Sequence, residues 1–198
     1  MSAQPDSSRR PRARNARPKI ERAALKLFVT KSVEGATTRE IAEEAGVSEG
    51  ALYRHYPGKD ELALALFMET HNRLGAMMIE GWKAGSTLEE RVRNIVTAYC
   101  ELADEDWLLF SFHLLSLNKF LPHDVRRADD PVSITEGLIQ GLINAGEIPD
   151  GDPSVLAAMS LGVMMQSGQN KAYNRLPGPM SNHIDTFTRA IVAILRQK

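Results

Sequence analysis

A single cysteine, Cys100, occurs in the 198 residues, so no internal disulfide can form, and a reducing cytosol suits the chain. No apolar run approaches the ~20 residues that a membrane-spanning helix needs. The arginine-rich N-terminus has no hydrophobic stretch behind it, which argues against a secretory signal. Five histidines (His55, His71, His113, His123 and His183) offer no i, i+4 pair and no cysteine partner, so neither a metal site nor a cofactor is expected. No segment reads convincingly as a strand, and no repeat is present. What remains is helical, with 43% hydrophobic residues, enough for a sizeable core. A net charge of −1 conceals an asymmetry. Residues 1–59 hold 12 Lys and Arg against 7 Asp and Glu, whereas residues 60–198 hold 12 against 18. A basic head on an acidic body points to a polyanionic partner for the head alone.

The densest pattern is TTREIAEEAGVSEGALYRHYPGKD at residues 37–60. Thr37 and Glu40 have the spacing of a capping box, and Ile41, Ala42 and Ala45 follow as an apolar stripe. Gly46 supplies a left-handed stop, and Val47 plugs the space between two helices. Ser48 can cap the second helix, with Ala51 and Leu52 facing inward, until Pro57-Gly58 ends it. Two helices this short need a third to bury them. Residues 19–30 provide it, with Ile20, Ala23, Ala24, Leu27 and Phe28 on one face. Such a pair of helices suits the major groove of DNA. Thr38, Arg39, Tyr53, Tyr56 and Lys59 are placed for phosphate, since hydroxyls and cations donate to its oxygens without reading bases. Ser48, Glu49, Gly50 and His55 are the candidates for base contact. Gly50 permits close backbone approach, and Glu49 either accepts from cytosine or points outward and repels phosphate.

Residues 17–67 resemble the DNA-binding domain of the tetracycline-repressor (TetR/AcrR) family of bacterial regulators. The resemblance rests on Ala23-Ala24 to Phe28, on Thr38, Ile41-Ala42, Ala45-Gly46-Val47-Ser48, Gly50, Leu52-Tyr53 and His55-Tyr56, and on Lys59 and Leu62. It covers about a quarter of the chain. The chain departs from the family at Ser32, often Gly there, at Val33, often aromatic, at Gly58, usually Ser, and at Glu49, where a basic or neutral residue is common. The resemblance implies a cytoplasmic homodimer on a palindromic operator, nucleoid-associated when bound, most often a repressor released by a small molecule.

Residues 1–16, with Arg9, Arg10, Arg12 and Arg14, read as a disordered basic arm, either a solubilising tail or a minor-groove arm. Residues 17–61 form the helix-turn-helix domain and 62–198 a helical ligand-binding and dimerisation domain. Its expected helices cover 60–82, 87–104, 105–118 (apolar all round, hence buried), 132–145, 154–175 and 181–196, with a loop or irregular helix over 119–131. Methionines and aromatics cluster in this body, as in adaptable apolar pockets. Met78, Trp82, Tyr99, Trp107, Phe110, His113 and Met164 are the expected ligand contacts. Ala157, Ala158, Gly162 and Gly168 give residues 154–175 a small-residue face, and Ile184, Phe187, Ile191 and Leu195 give 181–196 an apolar stripe. Such features serve an internal core or a subunit interface, and the resemblance implies the interface. Gly46-x-Ser48-x-Gly50 also matches the nucleophile elbow of hydrolases, but that turn requires a preceding strand, so no enzyme is expected. The rival reading is a helical binding module whose basic head meets a protein or non-specific nucleic acid.

Overall fold

The computed structural model describes residues 16–121 and 130–197. The expected basic arm lies outside the described residues except for Ala16, as does most of the loop expected over 119–131. Every regular element among the described residues is helical, and the chain divides into two compact units after Phe67, a few residues beyond the expected boundary.

The first unit contains α1 (Ala16–Gly35), α2 (Thr38–Ala45), α3 (Glu49–Tyr53) and the opening turns of α4 (Lys59–Ala84). Thr37 and Glu40 close the capping box, and Gly46 ends α2 in the left-handed region at φ 65°. Ser48 accepts the Ala51 amide to start α3. Ile20, Ala24, Phe28, Ile41, Leu52 and Leu62 fill the space between these helices. Leu27 is only half-buried, and Leu25 takes the inward position instead. The first helix also runs farther than expected, through a kink at Ser32 with φ 65° and ψ 167°. That backbone region is almost confined to glycine, because a Cβ there crowds the carbonyls.

The second unit holds the rest of α4, then α5 (Leu88–Glu105), α6 (Trp107–Leu115), α7 (Leu117–Phe120), α8 (Pro131–Asn144), α9 (Pro153–Ala172), a 3-10 turn (Met180–His183) and α10 (Ile184–Arg196). Asp130 and Asp152 cap α8 and α9, each followed by proline at the first helical position, where its missing N–H costs nothing. The single helix expected over 105–118 is two helices broken at Ser116. Residues Phe110 to Leu114 are buried as expected, but Leu115 is 48% exposed.

The stripe on α10 corrects an expectation. Phe187, Ile191 and Leu195 are only 4–8% exposed within a single chain, because α10 lays its apolar face on α5. Arg93–Asp185 and Glu89–Arg196 ion pairs bracket that contact, and the Asp104 carboxylate accepts the Met180 and Ser181 amides at 2.8 and 2.9 Å. The stripe is therefore internal core, since the same atoms cannot also face a second subunit. The small residues of α9 divide likewise. Ala157 and Gly168 turn inward, and a Cβ on Gly168 would meet Leu114 Cδ2 at 2.8 Å. Ala158 and Gly162 turn outward beside the exposed Val155 and Met159.

Candidate functional site

The first unit buries one side of its α2–turn–α3 segment and leaves the other bare. Ala51 and Leu52 point inward, while Ser48, Glu49, Gly50, Tyr53, Arg54 and His55 are exposed. Nothing lies within 4 Å of a Cβ built on Gly50, so the α3 backbone is open to close approach. Tyr53 is half exposed and is not a core aromatic. Its hydroxyl lies 3.2 Å from Thr38 Oγ1, which donates at 3.4 Å to Glu49 Oε1. These three residues from two helices thus form one polar cluster at the start of α2, where the first-turn amides favour an anion. Arg39 is beside it, its guanidinium on Glu43 one turn along. Ser48 Oγ is committed to its cap, and a helix rather than a strand precedes it, so the nucleophile-elbow geometry is missing there.

Two expected phosphate contacts are occupied otherwise. Tyr56 is 7% exposed; its hydroxyl donates to Glu21 Oε1 at 2.5 Å and accepts from Arg17 Nε at 3.2 Å. Burial first, and the Glu21 carboxylate second, push its phenol up to about 12. Tyr56 therefore pins the end of α3 to α1. Lys59 is half-buried and donates to the Glu34 and Ala36 carbonyls at 2.9 and 2.8 Å, closing the α1–α2 turn onto the start of α4. Sequence reasoning missed both because the partners lie 23 to 39 positions away.

The second unit contains a partly open cavity of about 370 Å³ bordered by α4 to α10. Six of the seven expected ligand residues line it: Met78, Trp82, Tyr99, Phe110, His113 and Met164. Trp107 does not. It opens α6, stacks on Phe110 at 6.0 Å and has the Lys171 ammonium 5.1 Å from its ring centre. The lining is aliphatic and aromatic, with no Asp, Glu, Lys or Arg among the described residues. Two histidines that look scattered in the sequence meet here, His71 Nδ1 and His113 Nε2, 3.2 Å apart. Burial, and then the neighbouring His71, lower the His113 pKa to about 3, so the imidazole stays neutral at pH 7. Ser160 was also missed; it borders the cavity, is 6% exposed, and its hydroxyl has no hydrogen-bond partner. Cys100 is fully buried with its thiol raised to about 12 by that burial, which makes it a packing residue rather than a nucleophile.

Residues 20–66 match the family model described as bacterial regulatory proteins, tetR family. Among curated relatives, the transcriptional repressor AcnR of Corynebacterium glutamicum is 36% identical over 66 residues, 33% of this chain and 35% of the relative. The chain covers less than half the length of the curated relatives that it matches at this level. Solved structures extend the likeness of fold to nearly the whole molecule. A tetR-family protein from Rhodococcus RHA1 superposes with a TM-score of 0.74 at 21% identity, over 93% of this chain and 98% of its own. FadR of Bacillus subtilis, solved with stearoyl-CoA, gives 0.70 at 19% identity, over 89% and 98%. Residues 20–66 thus carry the sequence pattern of the tetR family of bacterial regulatory proteins, and the chain shares the fold of solved tetR-family structures.

Proposed function

We propose that the protein is a DNA-binding transcriptional regulator, acting as a homodimer on a palindromic operator and released from it by a small molecule held in the body. The observation that carries this reading is the bare face of α3. A helix capped, buried on one side and lined on the other by Ser48, Glu49, Gly50, Tyr53 and His55 has the form of a major-groove reader. Thr38, Tyr53 and the first-turn amides of α2 then meet the phosphates. Repression is the expected sign, in keeping with the relatives named as repressors.

The dimer forms through the outward faces of residues 154–175 and 181–196, in particular Val155, Ala158, Met159 and Gly162, where small residues admit close helix packing. Two heads related by a two-fold axis would then meet half-sites one turn apart, roughly 34 Å. The cavity takes an apolar or amphipathic molecule. Helix α4 begins at Lys59 in the head and lines the cavity with Met78 and Trp82, so it is the lever between the two sites. A ligand shifts DNA binding only by its differential affinity for the two states, typically about 1–3 kcal/mol.

An electrophoretic shift on the chain's own upstream region, with and without competitor DNA, tests the reading. Specific retention that survives competitor, with base preference altered by Glu49→Ala and His55→Ala at particular positions, is expected. Equal loss on specific and random duplexes for both variants would overturn it.

A further inference from the structure

The lining of the cavity limits its ligand more than its volume does. About 370 Å³ lies at the low end of the roughly 300–1,000 Å³ usual for small-molecule sites. Within it no charged side chain among the described residues can meet an ionised group, and an unpaired ion taken out of water is strongly disfavoured. The ionisable bases among the described lining residues, His71 and His113, hydrogen-bond each other inside the core, and burial and then the adjacent ring oppose a proton on His113. His113 therefore gives a carboxylate no cation.

The polar inventory is short: beside the two histidines the described lining holds Asn118, which is exposed, and three hydroxyls. Thr135 Oγ1 donates to the Pro131 carbonyl at 2.7 Å, so its proton is used within its own helix. The Tyr99 hydroxyl is directed at the Met164 carbonyl, 3.5 Å away. Ser160 differs, because it stands on α9 one turn before Met164 with a buried hydroxyl that has no hydrogen-bond partner among the described residues. A buried hydroxyl without a partner is costly, and serine redirects its oxygen by a single rotation about χ1.

We propose that the cavity binds an uncharged amphipath, an apolar chain or ring body carrying one hydroxyl or carbonyl that Ser160 holds. Among the described lining residues no charged side chain is placed to hold a carboxylate or a charged carrier. This deepens the regulatory reading above and rests on it only for its consequence at DNA, not for binding itself.

The test uses the full chain and straight-chain alcohols from hexanol to dodecanol, the methyl ketones of equal length, the matching carboxylates at pH 8, and decanoyl-CoA. Binding is followed by Trp82 emission in a Trp107→Phe background and by calorimetry. Alcohols and ketones should bind with an optimum chain length, and carboxylates should bind at least a hundredfold more weakly. Ser160→Ala should weaken the alcohols about tenfold, the loss of one buried hydrogen bond, while its own melting temperature holds or rises because the orphan hydroxyl is gone. Carboxylates or decanoyl-CoA binding as tightly as decanol would overturn the proposal, as would no binding by any alcohol, or Ser160→Ala binding decanol unchanged. An alcohol that binds as described yet leaves operator binding intact would defeat the regulatory reading and leave this assignment standing.

Discussion

Lys59 offers a choice between two roles that a single variant separates. Sequence reasoning makes it a phosphate contact, whereas the structure spends its ammonium on the carbonyls of Glu34 and Ala36. In Lys59→Met the aliphatic stem remains and both carbonyls lose their donor. A charge-assisted hydrogen bond contributes about 1.5–3 kcal/mol when buried, but these carbonyls are exposed or part-buried and water replaces some of the loss. The expected destabilisation is therefore about 1–2 kcal/mol, or roughly 2–8 °C for a chain of this length melting as one unit. Thr38 lies two positions beyond Ala36, so the loosened turn should also weaken DNA binding. A lysine on a phosphate contributes about 0.9 to the slope of log K against log salt, while a lysine bracing a turn contributes none. Urea unfolding and operator titrations at several salt concentrations read the two effects independently. The expected result is a lower urea midpoint with an unchanged salt slope. An unchanged midpoint with a slope smaller by about one would refute the bracing role and restore the phosphate contact.

Three further outcomes are expected. Ser32→Gly should raise stability by up to about 1 kcal/mol, because relief of ~1–3 kcal/mol of strain at a glycine-only backbone position outweighs the greater freedom of glycine in the unfolded chain and the lost bond from the exposed Gly35 amide. Ser32→Ala keeps the strain, loses the bond from the Gly35 amide and should lower stability, and urea midpoints that fail to show this order would contradict the account. His113 stays neutral in the fold down to about pH 3 but gains a proton near pH 6.5 when unfolded. The unfolded state thus binds more protons between those values, so stability is full above about pH 6.5 and falls as pH drops, by up to ~2 kcal/mol between pH 7 and pH 5. His113→Gln should flatten that dependence, and an equal pH slope in both proteins would exclude His113 as its source. Ile191→Glu places an unpaired carboxylate in the core against α5 and should unfold the body, seen as lost helical circular dichroism, whereas a well-folded monomer on light scattering would return Ile191 to the subunit interface.

The elements governed by neighbours in the chain were readable without coordinates. The capping box of Thr37 and Glu40, the left-handed Gly46 and the Ser48 cap each involve groups within four residues, so local geometry alone determines them. The same applies to which α3 residues stay bare, because helical periodicity fixes their direction once Ala51 and Leu52 turn inward. Composition likewise marked the methionine- and aromatic-rich body, and six of seven residues named from it do line the cavity. What depends on distant partners came only from the fold. Tyr56 and Lys59 carry residue types that suit phosphate, yet Glu21 and the turn at Glu34–Ala36 claim them across 23 to 39 positions. An apolar stripe has a direction but no address, so α10 could equally have faced a second subunit until α5 was found packed against it. His71 and His113 are 42 positions apart, and only tertiary packing brings the two rings together in a cavity whose described lining carries no charged side chain. Periodicity states which side of a helix avoids water; tertiary structure decides what covers it, because burial is a property of the pair and not of the segment.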